Sequence, residues 1–189
     1  MGQAVTVFDL DDFAVDNHGG GLLDRLRDTV PGLKVTLFVV PFPLDKGYPH
    51  DAVWEWLAAY LRKRPWVQYA LHGFHHTYLE CKAWDKARTL EALRWAEDSG
   101  IFVRGFKGPY WAMAPGVYEA LLERGWWVAD HPENNAMRPA ALRCHLLGTP
   151  NIVHGHVQDI GTNGLREAWG RYTTMAGPFE FIDEVMRHG

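Results

Sequence analysis

The chain has 189 residues, 47% of them hydrophobic and 22% charged, which is the balance of one packed globular domain spanning residues 1–189 and excludes a disordered chain. A net charge of -4 without any basic block removes the electrostatic term that carries phosphate-backbone binding, so nucleic acid is not an expected partner. No stretch reaches the roughly 18 apolar residues of a membrane span, the start MGQAVTVFDLDDF has no secretory pattern, and only Cys81 and Cys144 are present, so a cytoplasmic protein with reduced thiols and no membrane partner is expected.

Val5 to Leu10 is a short apolar run ending in acidic residues, read as a buried strand. Gly20 to Val30 follows as a helix, with Leu22, Leu23, Leu26 and Val30 near a 3.6 period. Lys34 to Val40 is β-rich and stops at Pro41, and His50 to Arg64 carries Val53, Trp54, Leu57, Tyr60 and Leu61 on one helical face before Pro65. Val67 to Leu71 is a strand running into a histidine cluster, and Trp84 to Ser99 is a helix stopped by Gly100. Phe102 to Phe106, Trp126 to Ala129 and Asn151 to Val153 are further strands, separated by helical patterns over Pro115 to Arg124 and Pro139 to Leu146. Gly164 to Tyr172 and Pro178 to Arg187 read as terminal helices, while Pro41 to Pro49 and Ala129 to Pro139 read as surface loops. Alternating strand and helix implies parallel strands with helices outside.

The polar residues fall where that architecture puts chemistry. Ten histidines are present, five of them in the clusters His72/His75/His76 and His154/His156. These clusters, Asp9/Asp11/Asp12 and Lys107 all lie at or just past strand ends, the edge at which barrels and open α/β sheets form their sites. His72 and His76 can face one ion from a single turn or tight loop; alone, such a pair is more often a chance pairing in a loop. Asp11-Asp12 supplies what a hydrolytic metal site also needs, one carboxylate as ligand and another as base, although an isolated pair would equally cap a turn, a role open to Asp9 as well. Residues 105–111, Gly-Phe-Lys-Gly-Pro-Tyr-Trp, join a cation to a glycine- and proline-fixed loop able to present a backbone N–H beside an apolar wall, or simply a turn over packed aromatics. His154 and His156, at i and i+2, share one side of an extended strand.

In this order the motifs resemble the polysaccharide deacetylase (NodB-homology) family, carbohydrate esterase family 4. The resemblance covers about residues 4–157: Leu10-Asp11-Asp12-Phe13, the strand Val35-Thr36-Leu37-Phe38-Val39, His72-Gly73-Phe74-His75-His76, Lys107-Gly108-Pro109-Tyr110, and a terminal histidine at either His154 or His156. Lysine replaces the family's arginine in the third motif, and the family's Asp-Trp groove element is only loosely echoed by Trp127-Val-Ala-Asp130. Such departures are like those of divergent, short deacetylase-like proteins of phage and bacterial genomes.

The resemblance implies a distorted (β/α) barrel of about seven parallel strands. It also implies Asp12, His72 and His76 as ligands of one divalent ion, zinc by preference, with cobalt and nickel also suited. Asp11 would be the general base, paired with Lys107, and the Tyr110 N–H would hold the oxyanion. His156 is favoured as the acid for the leaving amine, with His154 as the acid itself or a wall of the acyl pocket. The implied substrate is an N-acylated carbohydrate or small amide. Rival readings are hydrolysis of another non-peptide C–N bond, as in a cyclic amide, and a non-catalytic metal- or carbohydrate-binding relative.

Overall fold

A computed structural model describes residues 5–19, 21–161 and 170–188. Among the described residues eight strands run β1 (Thr6–Phe13), β2 (Val35–Val39), β3 (Val67–Leu71), β4 (Phe102–Lys107), β5 (Trp127–Asp130), β6 (Cys144–Leu146), β7 (Ile152–His156) and β8 (Phe179–Glu180). Between and after them come α1 (Leu22–Thr29), α2 (His50–Arg62), α3 (Lys86–Ser99), α4 (Pro115–Glu123), α5 (Gln158–Gly161) and α6 (Ile182–His188). The sheet is a curled half-barrel in the order β6-β5-β4-β3-β2-β1-β7, every neighbour parallel, with β8 added beside the start of β1. This is the expected distorted (β/α) barrel. Among the described residues no ladder joins β6 to β7, so the barrel stays open along that seam.

Strand alternation divides the sheet into an outer and an inner layer. Phe8 and Leu10, Leu37 and Val39, and Tyr69 and Leu71 point outward and pack with Leu23, Leu26, Leu57 and Leu93 of the helices. Each such fully buried side chain contributes about 1.5–3 kcal/mol. The inner layer is smaller: Val7, Phe38, Ala70, Trp127 and Ala129 meet Ile182, so α6 plugs the N-terminal end of the barrel. Gly105 makes this possible, because a Cβ there would lie 2.1 Å from Cζ2 of Trp127. The Trp127 indole N–H then donates to Asp183 of α6 at 3.1 Å. Local signals set the helix ends: Asp85 accepts from the Arg88 N–H at 2.7 Å to start α3, and Gly100, at φ 68, ends it.

Four expectations need correction. β1 runs on through the acidic residues to Phe13, so Asp9 and Asp11 are part of the strand. Residues 139–146 do not form a helix: Cys144–Leu146 is strand β6, whose pairing with Val128, Ala129 and Asp130 outweighs the helical preference of the alanines and leucines before it. Pro178–Arg187 is divided into β8 and α6, because the backbone at Phe179 and Glu180 pairs with β1. The two expected loops carry 3₁₀ turns at Pro43–Asp45 and Pro132–Ala136, and the second begins only after β5. The expected helix over 164–172 lies, for residues 164–169, outside the described residues.

Candidate active site

The C-terminal ends of the strands deliver the polar residues to one mouth. On β1, alternation turns Asp9 and Asp11 into the barrel and would turn Asp12 away from it. The register of β1 against β2 shifts between Leu10 and Phe13, and Asp12 takes φ 63, which brings its carboxylate back over the mouth. His76 (φ 55), Tyr110 (φ 56) and Trp111 (φ 58) also hold left-handed backbone. Such conformations cost non-glycine residues free energy and persist where surrounding structure enforces them, characteristically at functional sites.

Asp12, His72 and His76 meet with their ligating atoms all within 4.8 Å of one another. Asp12 Oδ1 lies 2.8 Å from His76 Nε2 and 3.4 Å from His72 Nε2. Among the described residues it is nevertheless a buried oxygen with no aligned hydrogen-bond donor. Ligands of one tetrahedral zinc stand about 3.3 Å apart, given bonds of about 2.0–2.1 Å, so this orphaned oxygen between two imidazoles fits a shared cation. The supporting bonds agree. His72 Nδ1 donates to the Lys107 carbonyl at 3.0 Å, which leaves Nε2 free to ligate, and Gln158 Nε2 donates to Asp12 Oδ2 at 2.7 Å. Burial pushes the Asp12 carboxyl up, but His72 and His76 outweigh it and hold it well below the usual carboxylate range. Burial likewise lowers His76, and Asp12 more than reverses that, so its pKa is raised.

Beside this set lies a second polar group. Lys107, 1% exposed, donates to Asp11 Oδ1 at 2.7 Å, stands 3.6 Å from Asp9 Oδ1, and sits over the Trp111 ring at 4.0 Å. Asp11 Oδ2 is left 3.8 Å from both His72 Nε2 and His154 Nε2. His154 Nδ1 donates to Asp9 Oδ1 at 2.6 Å, which fixes the ring with Nε2 toward Asp11. Burial would raise the Asp9 carboxyl, but Lys107 and His154 draw it below its ordinary value. His156 is more open: its backbone N–H donates to Asp159 and its ring lies 5.4 Å from that of His154. Asp11, His154 and His156 also have ligand atoms within 4.8 Å of one another. The buried ammonium already on Asp11 makes them a poor second cation site, since like charges that close repel strongly in a low-dielectric interior.

A cleft of about 510 Å³ opens over Asp11, Asp12, His72, His76 and His156, with Tyr110 and Trp111 on its wall. Tyr110 is 54% exposed, and its ring lies 5.1 Å from His76 and 5.5 Å from Tyr78. All eight residues singled out in the sequence are therefore at this mouth. The Asp-Trp echo is not: Trp127 fills the barrel interior and Asp130 is buried, binding Tyr118, Arg138 and Asn134. Three residues at the site have no first-choice role in the sequence. Asp9 is open there as a turn residue or as the base in place of Asp11, though its i, i+2 spacing from Asp11 in a buried strand signals a shared face. Gln158 and His145, a second barrel-lining histidine, carry no sequence signal of their own.

No family model and no curated protein sequence matches the chain. Solved structures do. The chitin deacetylase of Colletotrichum lindemuthianum superposes with a TM-score of 0.59 at 15% identity over 95% of this chain and 85% of that one. A carbohydrate esterase family 4 pseudoenzyme from Bacillus anthracis gives 0.56 at 10% identity over 96% and 65%. The fold is that of the carbohydrate esterase family 4 proteins. A 4-alpha-glucanotransferase from Thermococcus litoralis gives 0.61 at 11% identity over 97% of this chain and 40% of that one. This NodB-like scaffold thus hosts deacetylase, transferase and inactive proteins, so activity must be argued from the side chains.

Proposed function

We propose that the chain is a divergent, short member of the polysaccharide deacetylase family, a hydrolase that removes an acyl group, N-acetyl in the first instance, from an amino sugar or related amide. The observation that carries this reading is the orphaned Asp12 Oδ1 between two imidazoles, one residue from a carboxylate paired with a buried lysine. A divalent cation held by Asp12, His72 and His76, zinc by the chemistry of the donors, would supply a Lewis acid and draw the pKa of a water toward neutrality.

The chain's own residues do the rest. Lys107 holds Asp11 by Oδ1, so Oδ2 is the oxygen that takes the proton from the attacking water. The Tyr110 N–H donates to the oxyanion formed as water adds to the carbonyl carbon. When the C–N bond breaks, the departing nitrogen takes a proton from His154 Nε2, while Asp9 on Nδ1 holds the ring in place. This moves the acid from His156, the residue favoured by the sequence, to His154, because among the described residues a buried carboxylate holds the far nitrogen of His154 and not that of His156. His156 then lines the acyl cleft.

The test is acetate release from N-acetylglucosamine oligomers by protein loaded with zinc. One bound ion per chain with acetate released is the expected result. One ion with no acetate from any N-acetyl oligomer would overturn the deacetylase reading and turn attention to other C–N bonds or to a non-catalytic role.

A further inference from the structure

The loop that presents His72 and His76 has no regular structure to hold it. It leaves β3 at Leu71, turns through Gly73 at φ 60, and reaches His76 in left-handed backbone. Its consecutive amides point inward at one side chain. The Glu80 carboxylate, 7% exposed, accepts from the N–H of Phe74 at 3.0 Å, of His75 at 3.0 and 3.1 Å, and of His76 at 2.9 Å. Among the described residues no cationic side chain lies within ion-pair distance of it. A buried carboxylate costs several kcal/mol unless it is compensated. Here the compensation comes from three successive amide dipoles, an anion nest whose anion belongs to the protein itself.

The packing around this nest is tight. A Cβ on Gly73 would fall 2.7 Å from Glu80 Oε2 and 2.9 Å from Pro109, so the loop, the carboxylate and the Tyr110 turn are in direct contact. Glu80 is itself fixed by the 3₁₀ turn Glu80–Lys82 and by the Ala114 N–H, which donates to the next carbonyl, that of Cys81.

We propose that Glu80 is a positioning residue for the cation site: its carboxylate pulls the three amides of 74–76 into a nest and so sets His76 against Asp12 before any ion arrives. The role rests on the metal reading above. Unlike a ligand, Glu80 touches neither ion nor substrate, and it acts only through the backbone of a ligand. Glutamine in its place keeps the length and volume but exchanges one acceptor oxygen for an NH₂ that faces N–H donors, so the nest cannot close around it.

Cobalt(II) is the probe, because its visible absorption reports both affinity and coordination geometry. Glu80→Gln is expected to bind cobalt roughly 10- to 100-fold more weakly than the wild type, the usual scale for loss of an outer-shell support, with an altered visible band. Thr89→Val is the control for stability alone, because Thr89 is fully buried in α3 and its hydroxyl donates to the Asp85 carbonyl. It should lose stability and keep the wild-type cobalt affinity and spectrum. Amide exchange on the metal-free wild type provides a second readout that needs no variant: the N–H groups of Phe74, His75 and His76 should be protected on the scale of β3. Wild-type cobalt affinity and spectrum in Glu80→Gln would overturn the proposal, as would unprotected amides at 74–76. A wild type that binds no cobalt would instead bring down the metal reading, and the two failures are thereby told apart.

Discussion

Two adjacent aspartates with different partners should fail in different ways. Asp11 faces the cleft on an ammonium, whereas Asp12 faces two imidazoles. Asp11→Asn is expected to retain the ion and lose on the order of 10² to 10⁴ in kcat, the usual scale for a general base. Asp12→Ala is expected to lose the ion itself, which elemental analysis will read; full activity in Asp11→Asn would move the base elsewhere. The two histidines of β7 are separated by the leaving group. A general acid matters in proportion to how poorly the departing group leaves. His154→Ala should therefore lose activity steeply on an N-acetyl amine and much less on an activated aryl acetate, while His156→Ala should show a milder loss, equal on both. Selective amide loss in His156→Ala would return the acid to the residue the sequence favoured.

At the scale of elements, the site exists because seven strands end at one edge, and the sequence made most of that edge legible. Apolar runs bounded by glycine, proline or charge marked β2, β3, β4, β5 and β7 to within a few residues, since buried parallel strands leave an uninterrupted hydrophobic signature. What could not be read were features decided by tertiary partners. β6 is three residues long and exists through its pairing with β5; the bulge that turns Asp12 inward arises from register; the Asp9–His154 bond joins residues 145 apart. The packing of β4 on β5 gives a test at this scale. A methyl group at residue 105 would meet the Trp127 ring at 2.1 to 2.5 Å, and that ring is held by Phe38, Ile182 and Asp183. Gly105→Ala should cost about 1–3 kcal/mol or more in urea unfolding, as overpacking does, and should loosen α6 from the barrel floor. Unchanged stability would mean that Trp127 has room the structure does not show.

For the whole molecule, the polar column inside the barrel sets how stability responds to acid. Two of its members respond in separate pH windows. His145 is 8% exposed, its Nε2 has no hydrogen-bond partner among the described residues, and burial holds its pKa below the ordinary 6.5. The native state therefore resists a proton that the unfolded chain accepts, and stability falls as pH drops from 6.5 toward the native value. Asp9 behaves otherwise. Despite burial, Lys107 and His154 hold its carboxyl below 3.8, so its contribution is fully present above 3.8 and is lost only as pH falls through the native value. Urea unfolding of the metal-free protein, followed from pH 8 to pH 2, should accordingly lose stability in one stage below 6.5, to which His145 contributes, and in another below 3.8, which Asp9 shares with Asp12. His145→Gln should flatten the stage below 6.5 and leave the lower one. Asp9→Asn should start from lower stability at neutral pH, because it leaves Lys107 with one fewer buried counter-charge, yet show a shallower slope below 3.8. The slopes, and not the absolute stabilities, carry the test: a variant can be weakened for many reasons, but it loses a proton-linked stage only if the missing group bound that proton differently in the folded and unfolded chains. Wild-type slope below 3.8 in Asp9→Asn would show that Lys107 and His154 do not hold the carboxylate as the structure has them.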